Sequence, residues 1–256
     1  MGRKIRLDRL LVDRGWARSR QHARELIEAG DVLVDGVPAT RVAAQVDADR
    51  AIALRESDPG WVGRGAEKLH AALEPLGVDP AGRVCADLGA STGGFTEVLL
   101  RRGAARVHAV DVGRHQLHER LSADPRVVVH DGINARYLDT LPEPVSLVVA
   151  DLSFISIRKV LPAVKRLLAS GGDALVLVKP QFEVGPEKVG AGGVVRDPAD
   201  RLAAIRDVAA EAEALGFAVE GGVDSTVPGA RAGNVEHFLH LAVLPFSRTG
   251  KAQGAR

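Results

Sequence analysis

The chain has 256 residues, 46% of them hydrophobic, and a formal net charge of +1, which suits one large domain, or one large and one small, around a sizeable core. Its single cysteine, Cys85, excludes a disulfide framework and fits a reducing, cytoplasmic compartment. No signal peptide is expected, because four basic residues among the first ten precede no apolar core, and apolar runs such as 174–178 are far too short to cross a bilayer.

The near-neutral total hides a basic end. Residues 1–24 hold eight basic side chains against two acidic ones, Asp8 and Asp13. A locally basic end on an otherwise slightly acidic chain points to a polyanion partner. Within it, Ile5, Leu7, Leu10 and Leu11 mark a first short helix ending near Gly15. Ser19 caps a second helix running to about residue 29, stopped by Gly30. Valines alternating around Asp35-Gly36 signal a hairpin, and Val42, Val46, Ile52 and Leu54 suggest further short strands. The turn-rich run 57–60 marks the break. The division expected is a small module over 1–59, a linker over 60–63, a larger domain over 64–246 and a polar, disordered tail over 247–256.

From Trp61 onward strand and helix signals alternate, which predicts an α/β domain with a mostly parallel sheet and helices on both faces. Strands are expected at 83–87, 106–111, 127–130, 145–150, 174–179, 217–224 and 236–244. Helices are expected at 65–76, 94–102, 115–122, 157–169 and 198–215.

The run 83–97 reads as a buried strand, a sharp glycine turn and a helix start. Gly89, Gly93 and Gly94 allow tight turning and close approach to a ligand, at the carboxyl end of a strand where open α/β sheets bind nucleotides. A dinucleotide site wants G-x-G-x-x-G; here Ser91 stands at the middle glycine, which weakens a NAD reading without excluding it. Three acids, Asp87, Asp111 and Asp131, close three successive strands. They suit a cationic sulfonium nucleoside better than an anionic pyrophosphate, since phosphate sites prefer bare amides and cations. Asp111 is placed to hold a ribose diol and Asp131 to meet an adenine amino group, although both also read as plain strand terminators.

Two apolar strands, 145–150 and 174–178, deliver Asp151 and Lys179 at their carboxyl ends; if the strands are neighbours, the pair shares one crevice beside the nucleotide. A lysine ending five apolar residues is partly desolvated, and an adjacent carboxylate orients it, so it can serve as a general base. The pair also reads as a structural ion pair at a sheet edge. The glycine-rich loop 184–196, with Lys188 and Arg196, reads as a mobile strip over a bound partner. His115 with His118, and His237 with His240, lack the acid partner of a metal motif, so no metal is expected.

Several runs together carry a family resemblance: Gly65-Ala66-Glu67-Lys68-Leu69, the turn at 87–96, Val-Ala-Asp-Leu-Ser-Phe-Ile-Ser at 149–156, Val-Lys-Pro-Gln-Phe-Glu at 178–183, and Gly-Asn-Val-Glu-His-Phe-Leu at 233–239. With these, residues 3–244 resemble the TlyA family, whose members are often named hemolysins and which groups with the FtsJ-like ribose 2′-O-methyltransferases. The resemblance implies an S4-type RNA-binding module ahead of a Rossmann-like, S-adenosylmethionine-dependent methyltransferase domain. It further implies a catalytic tetrad at Lys68, Asp151, Lys179 and Glu236, and methylation of cytidine ribose in 16S or 23S ribosomal RNA, free or within ribosomal subunits. The cofactor site would comprise Asp87, Gly89, Ala90, Ser91, Gly93, Gly94, Phe95, Asp111, Asp131 and Asp151. Arg6, Arg9, Arg18, Arg20 and Arg24 would contact phosphates. The rival functions are a membrane-active hemolysin, an NAD-dependent oxidoreductase on the same fold, and an RNA-binding protein with a silent enzymatic domain.

Overall fold

The computed structural model describes residues 4–28, 30–39, 41–54, 60–190, 192–229 and 234–244. The 247–256 tail and all but Gly60 of the 57–60 break lie outside the described residues.

The amino-terminal module comprises β1 (Lys4–Arg6), α1 (Leu7–Asp13), α2 (Arg20–Glu28), β2 (Val32–Val34), β3 (Val37–Pro38), β4 (Gln45–Asp47) and β5 (Ile52–Leu54). The expected hairpin forms: β2 pairs with β3 across Asp35 and Gly36, both at positive φ (50° and 78°), the backbone a tight two-residue turn needs. Leu7, Leu11, Ala23, Leu26 and Ile27 turn inward from the two helices onto Val32 to make its small core. Ser19 accepts from the His22 amide at 3.0 Å, as an N-cap should.

The second domain runs α3 (Gly65–Leu73), β6 (Val84–Leu88), α4 (Gly94–Arg101), β7 (Arg106–Asp111), α5 (Glu119–Ser122), β8 (Val127–Asp131), β9 (Val145–Ala150), α6 (Leu161–Leu167), β10 (Leu168–Val178), α7 (Pro180–Glu183), α8 (Pro198–Ala214), β11 (Ala218–Asp224) and β12 (His237–Ala242). Seven strands form one sheet in the order β11-β12-β10-β9-β6-β7-β8. Within it β12 runs antiparallel to both of its neighbours, while β6 to β10 are mutually parallel. The central strands are buried on both faces, as a doubly covered parallel sheet requires. Leu147, Leu175 and Leu177 face α3 and α4; Val148 and Val176 face α6 and α8.

Several expectations shift. Ile5, expected in the first helix, lies in β1 opposite Val46, and Val42 lies between strands. Only the end of the expected 115–122 helix forms, because His115 takes a left-handed φ of 55°. The expected 157–169 helix divides into a 3-10 turn at Ile157–Lys159 and α6, whose first turn carries Pro162. Strand β10 begins at Leu168 rather than 174, with a register shift before Asp173.

Candidate active site

The topology brings the four tetrad positions together. Strands β9 and β10 lie side by side with Ala150 opposite Val176, so Asp151 and Lys179 emerge from adjacent carboxyl ends. Strand β12 pairs antiparallel to β10 with His237 opposite Val178, which sets Glu236, just ahead of it, beside the same end. Lys68 comes from the first turn of α3. That helix start lies against the start of α4 because Gly94 has no side chain; a Cβ there would stand 2.8 Å from the Ala66 amide nitrogen.

Lys179 Nζ sits 2.6 Å from Asp151 Oδ1 and 3.1 Å from Ser153 Oγ. Lys68 Nζ donates to Glu236 Oε2 at 2.7 Å and stands 3.7 Å from the other Asp151 oxygen. Lys68, Lys179 and Glu236 are all buried. Burial alone would neutralise Lys68, but the carboxylates of Asp151 and Glu236 overcome it and raise its pKa, keeping the ammonium charged. Burial likewise opposes the charge on Asp151; the two lysines outweigh it and hold that carboxyl below its ordinary range. The alternation Lys-Asp-Lys-Glu is therefore a self-compensated charge network.

The network opens into a cavity of about 930 Å³ at the carboxyl ends of β6, β7 and β9, where the strand order reverses. Of the expected cofactor residues, Gly89, Ala90, Ser91, Gly94, Phe95, Asp111 and Asp151 line it. Gly89 (φ 89°) passes so close to β9 that a Cβ would lie 2.5 Å from the Asp151 carbonyl oxygen.

Asp87, Gly93 and Asp131 are not among the lining residues. Asp87 is fully buried behind the turn, accepting from Thr96 Oγ1 at 2.7 Å, and burial pushes its carboxyl up to about 7. Gly93 (φ 100°) makes room for Leu117 and Leu121 rather than for a ligand. Asp131 accepts from the His115 amide at 2.8 Å and faces a separate small hollow.

Four amides of the glycine turn are committed within the protein. Gly89 and Ala90 amides donate to the Val110 carbonyl at 2.9 and 3.1 Å, and the Gly93 amide donates to Ala90 at 2.7 Å. Ser91, left-handed at φ 47°, directs its amide to Asp111 Oδ2 at 2.9 Å. A pyrophosphate needs bare amides at such a turn; these four are taken.

Residues that the sequence did not single out complete the surroundings. Ser153 shares Lys179 with Asp151. Glu183, buried at the end of α7, accepts from Ser156 Oγ (2.6 Å), the Ile157 amide (2.7 Å) and Arg158 Nε (3.3 Å), fixing the 153–158 loop. Both sit inside the motif runs, which was their only signal. The glycine strip is tied at its far end: Asn234 accepts from the Val195 amide and donates to the Gly193 carbonyl.

The five arginines divide. Arg6 and Arg20 both pair with buried Asp8, whose carboxyl the hydrogen bond from Arg6, then that from Arg20 and the two charges, hold far below the usual carboxylate range against burial. Arg18 donates to the His115 carbonyl across the domain junction, and Arg24 lines the cavity. Arg9 is exposed, and its guanidinium pairs with Asp13 at 3.5 Å. A guanidinium has five N–H donors, so the paired, exposed arginines keep donors for phosphate. His237 and His240 pair with Asp224 and Asp173. Among the described residues, no group of three His, Cys, Asp or Glu side chains could hold a metal ion, and no helix is long and apolar enough to cross a membrane.

Comparison with known proteins agrees with this architecture. Residues 61–242 match the FtsJ-like methyltransferase family model and residues 5–52 match the S4 domain. The 16S/23S rRNA (cytidine-2′-O)-methyltransferase TlyA of Mycobacterium tuberculosis is 52% identical, over 94% of this chain and 91% of its own. Hemolysin A of Brachyspira hyodysenteriae is 35% identical, over 93% of this chain and 100% of its own. A hemolysin-named structure from Streptococcus thermophilus superposes with a TM-score of 0.71 at 36% identity, covering 94% of this chain and 89% of that one. The chain belongs to the FtsJ-like methyltransferases, within the TlyA family that joins an S4 domain to the methyltransferase domain.

Proposed function

We propose that the protein transfers a methyl group from S-adenosylmethionine to the 2′-hydroxyl of cytidine in 16S or 23S ribosomal RNA. The observation that carries this reading is the Lys179–Asp151 pair, 2.6 Å apart at the edge of the cavity that Asp111 and the glycine turn also line. The cavity fits the cofactor. Asp111 ends β7 with its two oxygens held by the Ser91 and Gly113 amides, positioned for a ribose diol, and the committed turn amides disfavour the pyrophosphate of NAD.

When bound, S-adenosylmethionine supplies an already activated methyl group, so the protein's task is alignment and removal of one proton. Holding the nucleophile in line can supply about 7–11 kcal/mol of the barrier. Lys179 has three donor positions; Asp151 and Ser153 occupy two, and the third is left for the ribose oxygen. In its neutral form the same amine takes the hydroxyl proton. Asp151 fixes the amine and presents negative charge to the cofactor side. Lys68 and Glu236 hold Asp151 in place. Lys68, Asp151, Lys179 and Glu236 are thus assigned the catalytic work, and the basic S4 module recruits the RNA through phosphates. A ribosomal substrate places that work in the cytoplasm.

Calorimetric titration of the full chain with S-adenosylmethionine and with NAD tests the cofactor assignment. Saturable binding of the first alone is expected; binding of NAD alone would overturn it. The membrane-active alternative draws no support from the helices of the described residues; dye release from clean liposomes would revive it.

A further inference from the structure

The wall of the cofactor cavity is not confined to the methyltransferase domain. Helix α2 of the amino-terminal module presents Gln21, Arg24, Glu25 and Glu28 to it, positions spaced to share one helical face. The opposite face, with Ala23 and Ile27, is buried in the module's own core. A polar face on such a helix ordinarily meets solvent; this one meets a nucleotide-sized cleft.

Glu25 is the member that reaches across. Its Oε2 lies 3.5 Å from Ser91 Oγ on the glycine turn, and its Oε1 accepts from Gln21 Nε2 at 2.9 Å. We propose that Glu25 contacts the cofactor, closing the ribose end of the cavity opposite Asp111, so that the RNA-binding module completes the cofactor site. The inference rests on the S-adenosylmethionine reading above.

Three observations converge. Glu25 and Asp111 bracket Ser91, whose amide serves Asp111 and whose hydroxyl faces Glu25. Burial, and after it repulsion from Asp111, pushes the Glu25 carboxyl up to about 7, and the two acids face each other across Ser91. Two hydroxyl donors of a ribose diol, placed between the acids, would satisfy both. Independently, Arg18 of the same module donates to the His115 carbonyl on the other side of the Asp111 turn, a second tie holding α2 over this end of the cavity.

The test is calorimetric titration of the full chain with S-adenosylhomocysteine, and with an analogue whose ribose lacks both hydroxyls. Glu25→Gln should weaken S-adenosylhomocysteine binding roughly tenfold, the loss of one charge-assisted hydrogen bond. It should leave the analogue's affinity as in wild type. Its unfolding midpoint should equal or exceed that of wild type, because an acid repelled by Asp111 is gone. Equal affinity of Glu25→Gln and wild type for S-adenosylhomocysteine overturns the proposal, as does an equal loss for both ligands. Wild type failing to bind S-adenosylhomocysteine overturns the cofactor reading as well, and so separates the two failures.

Discussion

Lys68 and Glu236 are 168 positions apart in the chain, yet Lys68 Nζ donates to Glu236 at 2.7 Å inside the protein. One belongs to a helix start and the other to the entry of β12, which runs antiparallel to its neighbours in the seven-stranded sheet, so their meeting is a property of the tertiary fold. Removing one partner strands a buried charge. Glu236→Leu should therefore destabilise the protein by about 3–5 kcal/mol, whereas Lys68→Met with Glu236→Leu should recover much of that loss. Both variants should be inactive. Urea unfolding of the two single variants and the double variant measures the coupling.

Lys179→Ala should abolish methyl transfer while leaving S-adenosylmethionine affinity within about twofold, because the side chain is assigned to the ribose hydroxyl rather than to the cofactor. A filter assay with radiolabelled cofactor, paired with calorimetry, separates the two effects. Ser153→Ala, which removes the second partner of Lys179, should lower the rate by about tenfold or more without abolishing it.

Asp87 makes a stability prediction with a definite sign. Its carboxyl is raised from 3.8 to about 7 by burial. The folded state therefore binds that proton more tightly than the unfolded state, and stability falls as pH climbs between these two values. Asp87→Asn keeps an acceptor for Thr96 and escapes this penalty. Its stability relative to wild type should be about 2–3 kcal/mol greater at pH 8 than at pH 5, at about 1.4 kcal/mol per pH unit up to 7. Denaturant melts at the two pH values decide it.

Arg9 is exposed and forms a surface ion pair with Asp13. Arg9→Ala should leave stability unchanged and reduce the slope of log affinity against log salt for RNA by about one. Arg6→Ala should cost stability as well, because Asp8 is buried and relies on Arg6 and Arg20 for its charge.

The sequence carried the sheet strands and the chemistry of their ends, because short continuous apolar runs such as 145–150 and 174–178 suit strands buried on both faces and end in Asp151 and Lys179. Direction of function was less legible. Asp87, Asp111 and Asp131 look alike as strand-end acids, but only Asp111 faces the cavity, since which way a terminal side chain turns is decided by neighbours such as Ser91 and Thr96. The glycines divided the same way: Gly89 serves the cavity, whereas Gly93 serves the packing of Leu117 and Leu121. Helix content at 115–122 was overread because the left-handed backbone of His115 has no propensity signal. Lys68 and Glu236 have no local mark at all; only the family resemblance pointed to them. Glu25 carries no mark in the sequence, because docking of one domain on another leaves no periodicity.

The most direct measurement is nucleoside analysis of ribosomal RNA after incubation with the protein and S-adenosylmethionine, by nuclease digestion and mass spectrometry. Wild type should produce 2′-O-methylcytidine, and Lys179→Ala should produce none. Methylation on a nucleobase, or undiminished 2′-O-methylcytidine from Lys179→Ala, would contradict the assignment of Lys179 and its tetrad to the ribose hydroxyl.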